Sequence, residues 1–196
     1  MPDGSPLPPA DPLDLLRQGT DGRHRAVEAL PRLVRLTAPD LDRAAYGDVL
    51  LRFRAHHART EAAMITALAP AVPAQDLALR RRLPALDRDL ADLGLVPRAD
   101  DDAGDWPDPP RSVAAAAGWL YVNEGATLGG LVLRRHVRAA LPDAPIRYLS
   151  GHGRATAPTW AATRRIVARC LTGPSDVDEA VAAACAAFDA IARAMR

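Results

Sequence analysis

Residues 111–141 read as one long helix, yet the stretch "AAAAGWLYVNEGATLGGLVLRRHV" carries Gly118, Gly125, Gly129 and Gly130. Each glycine in a helix interior costs roughly 1 kcal/mol against alanine. Alanine is abundant in this chain, so four glycines on one helix demand a reason that helix formation does not supply. At about 100° per residue, Gly118, Gly125 and Gly129 fall within about 40° of one another, with Val122 and Val132 alongside. The result is a groove of bare backbone along one side of the helix.

The remainder of the chain is helical in character. At 196 residues and 48% apolar, it is long enough for one core and one domain. Alanine dominates, aromatics are scarce, and β-branched alternating runs are few, which predicts an all-α architecture. A net charge of +1, with arginine as the only strong base, implies no electrostatic pull toward nucleic acid or an anionic membrane. No basic helix-turn-helix precedes the core, and no apolar run approaches the roughly 18 residues of a membrane span. Cys170 and Cys185 lack metal-like spacing and suit a reduced, cytoplasmic protein.

The opening "MPDGSPLPPADP" is rich in proline and predicts a mobile tail over residues 1–12, followed by a single domain over 13–196. Helices are expected near 13–30, 42–69, 76–93 (bent or broken at Pro84), 111–141 and 158–171. The stretch "GPSDVDEA" predicts a final helix capped by Asp176, with Glu179 three residues on. "RADDDAGDWPDPPR" reads as a loop.

In the first helix, Leu13, Leu16, Thr20, Val27 and Leu30 share one face. His24 falls on the same stripe, four residues after Thr20. Taken alone, it reads as a core histidine bonded to a carbonyl or carboxylate. Two neighbours point further. Arg17 lies about 20° off the same line, and Glu28, one turn on, is placed to orient the second ring nitrogen as in metal-bound histidines. Gly19 and Gly22 keep the helix thin. A flat anionic ligand with a metal at its centre would suit such a helix. The glycine groove admits two readings: close packing of two helices, or room for the face of a planar ligand over which the helix bends.

"TDGRHRAVE" and "LYVNEGATLGG", about 100 residues apart and followed by "SGHGRAT" and Trp160, together resemble the heme oxygenase family, in particular the bacterial type found beside bacteriophytochromes. The resemblance covers residues 13–195. It implies a single-domain all-α fold holding heme between the first helix and a kinked, glycine-rich distal helix. His24 would be the axial ligand of the heme iron, with Glu28 beside it, and Gly125, Gly129 and Gly130 would form the catalytic distal face. Arg17 and Arg165, or Arg164 in place of the latter, would bind the propionates.

The family's animal members carry an aspartate directly after the first distal glycine, where it organises water for proton delivery. Here that position is Ala126, followed by Thr127, and Leu131 follows the double glycine. Proton delivery would then run through other partners, Asn123, Glu124 or Thr127. The resemblance implies cleavage of heme b by O2 to biliverdin, CO and ferrous iron. The chain has no flavin, nicotinamide or iron–sulfur motif, so electrons would come from a partner reductase or ferredoxin. A bacteriophytochrome is the expected biliverdin recipient.

His57 and Glu61 read as a surface pair four residues apart, and His136 and His152 as surface residues. A di-iron oxidase would need Glu-x-x-His pairs, and the sequence has none. A non-enzymatic heme or ligand carrier on the same scaffold is the remaining alternative.

Overall fold

The computed structural model describes residues 11–97 and 106–196, and its described residues are helix and loop without strands. The predicted tail lies mostly outside the described residues. Its last two members, however, begin the first helix: the Asp11 side chain accepts from the Leu13 amide at 2.9 Å, and Pro12 occupies N1 of α1 (Pro12–Glu28). Proline suits that position because its missing donor would have had no partner there.

After α1 come a short α2 (Pro31–Arg35), a long α3 (Arg43–Leu68), a short α4 (Ala74–Ala78) and α5 (Leu83–Asp92). Asp42 caps α3 through the Ala45 amide at 2.8 Å. The helix expected over 76–93 is two helices, because Pro84 fits the first turn of α5 and cannot sit inside a longer one. Glu61 of α3 accepts from the Arg82 and Leu83 amides at 2.6 and 3.1 Å, holding the start of α5.

The glycine-bearing helix is α6 (Val113–Ala140), capped by Ser112 through the Ala115 amide at 3.0 Å and helical throughout its glycines. A 3-10 turn at Gly153–Ala155 leads into α7 (Thr156–Cys170), and α8 (Pro174–Ala194) closes the fold. The cap of α8 is Gly173, not Asp176. Pro174 takes N1, so Asp176 falls at N3 and reaches back to the Thr172 amide at 2.8 Å. Glu179 leaves the box altogether and accepts from Ser112 at 2.7 Å.

Helix α8 is the keel, and both α1 and α6 pack on it. A Cβ on Gly118 would stand 2.2 Å from the Ala180 carbonyl oxygen, and one on Gly19 would stand 2.6 Å from Val181. These two glycines serve helix packing, and neither belongs to a ligand groove as expected. Their bare backbones let α6 and α1 approach α8 closely, which buries Ala180, Ala184 and Ala187 completely. Large side chains elsewhere, among them Trp119, Tyr46 and Leu50, fill the core around α3. Cys170 and Cys185 are both free. No described helix is long and apolar enough to cross a membrane.

Candidate functional site

Farther along the same helices the packing opens into a cavity of about 940 Å³. Arg17, Thr20, His24 and Glu28 of α1 contribute to its walls. Residues 121–123, Gly125–Gly130, Val132 and Leu133 of α6 contribute another part. Phe188 and Ile191 of α8, Phe53 of α3, and Tyr148 and Leu149 of the loop before α7 complete much of the lining. The volume is at the upper end of small-molecule sites, and a largely apolar lining with a few polar groups is their usual composition.

His24 is half-exposed and turned to this cavity rather than packed in the core. Its Nδ1 lies 3.6 Å from Glu28 Oε2, and its ring meets Phe188 edge-on at 5.7 Å between centroids. The buried members of its stripe are Leu16, Thr20 and Val27. Thr20 turns its hydroxyl away, to the Leu16 carbonyl at 2.7 Å.

On the α6 side, Gly125, Gly129 and Gly130 all line the cavity. A Cβ on Gly129 would meet open space, whereas one on Gly125 would lie 3.6 Å from Trp160. Gly130 is bounded on its other side by the Leu149 carbonyl, 3.1 Å from where a Cβ would be. The exposed Val34 and Val132 extend the apolar surface at the rim.

Arg17 lies on the lining and sits 3.9 Å from Asp14. Burial raises the Tyr121 hydroxyl above its ordinary range, while the charges of Arg164 and Arg17 oppose that shift. Of these two guanidinium groups, Arg17 is on the cavity lining and Arg164 is outside it. Arg165 is exposed and lies outside the lining.

Polar residues line the cavity on α6 (Asn123, Thr127), just before α5 (Arg82) and in the loop before α7 (Tyr148), with α3 behind them. Asn123 Oδ1 faces His56 Nε2 at 3.3 Å, and Tyr148 Oη faces His57 Nε2 at 3.1 Å. Both histidines are buried in the core, contrary to the surface pair expected of His57 and Glu61. Burial pushes His56 down to about 4 and holds His57 well below the ordinary histidine value. Both are thus neutral at neutral pH. Arg82 is 6% exposed, lines the cavity, and donates to the Tyr148 and Gly151 carbonyls at 2.7 and 3.2 Å. Glu124 lies outside the cavity lining: it is ion-paired with Arg80 and hydrogen-bonded with His152 Nε2, each at 3.0 Å. His152 is consequently not the surface residue that its flanking glycines suggested. His136 is exposed as expected.

Tyr121, Arg82, Tyr148 and Phe188 were not singled out by sequence reasoning. Tyr121 carried a usable signal, one turn before Gly125 on the same helix. Arg82, Tyr148 and Phe188 carried none, because only tertiary folding brings them to α1 and α6.

The residues present suit a heme. An imidazole with a carboxylate partner reaches the cavity from one helix. On another, a Cβ at position 129 is absent from open space. Apolar side chains lie between, with cationic groups at the edge. Among the described residues no cluster of three or more His, Cys, Asp or Glu could hold a bare metal ion.

No family model matches the sequence. A curated heme oxygenase of Xanthomonas campestris pv. campestris is 48% identical over 63 residues, 32% of this chain. The match spans about a third of that relative, 35% of its length. The NO- and CO-bound heme oxygenase of Neisseria meningitidis superposes with a TM-score of 0.77 at 25% identity, covering 95% of this chain and 90% of that one. The heme oxygenase of Leptospira interrogans gives 0.74 at 17% identity over 95% and 98% of the two chains. The Synechocystis enzyme in complex with heme gives 0.74 at 13% identity over 95% and 91%. These last two are likenesses of fold. Taken with the site's geometry and the matched sequence, they lead to one conclusion: the chain has the all-α fold of the heme oxygenases and is similar to one of them in sequence over about a third of its length.

Proposed function

We propose that the protein is a heme oxygenase of the bacterial type, cleaving heme b with O2 and external electrons to biliverdin, CO and ferrous iron. The observation that carries this reading is the sharing of one cavity by His24 of α1 and the glycines Gly125, Gly129 and Gly130 of α6. When bound, heme supplies both the iron that binds oxygen and the carbon that is oxidised.

His24 would hold the iron through Nε2. The Glu28 carboxylate favours a proton on Nδ1, which leaves Nε2 with its lone pair free and keeps the ring from turning. Gly125 and Gly129 keep side chains away from the opposite face, so a planar molecule can approach backbone directly. Arg17 at the rim, with Arg164 and Tyr121, would pair with carboxylates at one edge and fix the in-plane orientation. Neither Arg164 nor Arg165 is on the lining, and Arg164 suits this role better because its charge acts on Tyr121.

No carboxylate follows Gly125, so protons must come by another route than the animal-type aspartate. Asn123 and Tyr148 face the cavity and lead to His56 and His57. A neutral imidazole can donate from one nitrogen while accepting at the other, so His57 behind the Tyr148 hydroxyl can pass a proton without storing charge, whereas the His56 branch ends at Nδ1, which is buried without a partner. Thr127 and Glu124 suit this less well. The Thr127 hydroxyl is committed to the Glu124 carbonyl at 2.6 Å, and the Glu124 carboxylate to Arg80 and His152. Electrons would come from a reductase or ferredoxin, with a bacteriophytochrome as a fitting recipient of the product.

The test is aerobic turnover of the hemin-loaded protein with ascorbate or a ferredoxin reductase system. Decay of the heme bands to the broad red absorbance of biliverdin is expected. A heme complex that persists unchanged would instead identify a carrier, a reading that Ala126 alone favours.

A further inference from the structure

Behind the glycine segment lies a buried ionic cluster outside the cavity lining. Glu124, the residue before Gly125, is 1% exposed. Its carboxylate accepts from Arg80 Nη1 at 3.0 Å and lies 3.0 Å from His152 Nε2. Arg80, 4% exposed, also donates to Thr163 Oγ1 of α7 at 2.6 Å. One carboxylate on α6 thus gathers the turn after α4, the loop before α7, and, through Arg80, α7 itself. Desolvation offsets much of the attraction in such a buried pair, so stability alone is a weak reason for it.

The neighbouring contacts show what the cluster holds. The 149–152 loop lies against α6 so closely that a Cβ on Gly130 would come 3.1 Å from the Leu149 carbonyl oxygen. A Cβ on Gly151, whose φ is +57°, would come 3.2 Å from Thr127 Cβ. Tyr148 and Leu149, at the start of this loop, form part of the cavity lining. The His152 side chain is 12% exposed and that of Glu124 2%, so His152 is the solvent-side jaw of the clamp and Arg80 the inner one.

We infer that Glu124 is a positioning residue: clamped between Arg80 and His152, it seats the 148–152 loop on the Gly125–Gly130 segment and so sets the shape of that cavity wall. The inference rests on the heme oxygenase reading of the cavity. The loop presents Tyr148 to the cavity and hence to the proton route, so loosening it slows turnover more than it weakens heme binding. Displacements near 1 Å can lower a rate as much as about 100-fold.

The test compares wild type, His152→Ala and His152→Gln, a partly exposed site where folding is retained more readily than at buried Glu124. Hydrogen exchange of the ligand-free protein is measured at the Ser150, Gly151 and Gly153 amides, which bond within the loop. Heme affinity and turnover are measured beside it. The expected result is faster exchange and turnover lowered on the order of ten-fold in His152→Ala, heme affinity within about three-fold, and both effects reversed in His152→Gln, whose amide N–H can still donate to Glu124. Unchanged exchange or unchanged turnover in His152→Ala overturns the inference, as does failure of His152→Gln to restore them. If the wild type binds no heme, the proposed function falls, and the exchange comparison still decides whether the clamp holds the loop.

Discussion

His24 Nδ1 stands 3.6 Å from the Glu28 carboxylate one turn along α1, while Phe188 of α8 meets the same imidazole edge-on. Two elements thus constrain one ring, the carboxylate by charge and the phenyl by packing. Removing the carboxylate leaves only Phe188 against the ring and lets its tautomers exchange. Glu28→Gln is expected to weaken hemin binding on the order of ten-fold, as loss of a histidine's supporting partner does at metal sites generally. An absorbance titration measures it, and an unchanged affinity would show that Phe188 alone orients the ring.

The glycines of α6 divide by function, and alanine substitution separates them. Gly129→Ala adds a methyl to open space and removes a helix-breaking residue. The ligand-free protein should gain roughly 1 kcal/mol, a rise of about 2–4 °C in Tm, while heme turnover falls. Gly118→Ala forces a methyl to 2.2 Å from the Ala180 carbonyl oxygen and should destabilise by about 1–3 kcal/mol. Thermal melts with a turnover assay check both. Full turnover in Gly129→Ala would mean that the open space serves no ligand.

Much of this was legible in the sequence. The helical period and the two separated motifs are local signals, and local signals survive without tertiary information; the one cap expected, at Asp176, moved to Gly173 because Pro174 takes N1. Gly118 and Gly129 share a face of α6 by angle alone. Only the structure shows that α8 covers one and that the other borders a cavity. The histidine pair failed for the same reason. His56 and His57 look polar and adjacent, yet Asn123 and Tyr148, which partner them inside, lie 67 and 91 residues away in sequence. His152 depends in the same way on Glu124.

Burying neutral His56 and His57 makes the fold sensitive to acid. His56 is depressed from 6.5 to about 4, so the unfolded chain takes up its proton first. Stability is then full above about pH 6.5, declines as pH falls, and stops declining from this group below about 4. For His56 alone, the loss between pH 8 and pH 5 is on the order of 2 kcal/mol. Urea unfolding across this range should show the decline, and His56→Gln should flatten it. An equal slope in the variant would contradict the assignment.

The most direct test of the account is a hemin titration of the wild type and of His24→Ala, followed by absorbance. The account predicts a sharp Soret band at one equivalent in the wild type, with the band lost or displaced in His24→Ala and recovered when imidazole is added. A wild type that binds no hemin, or a His24→Ala protein with the same spectrum and affinity, would contradict it.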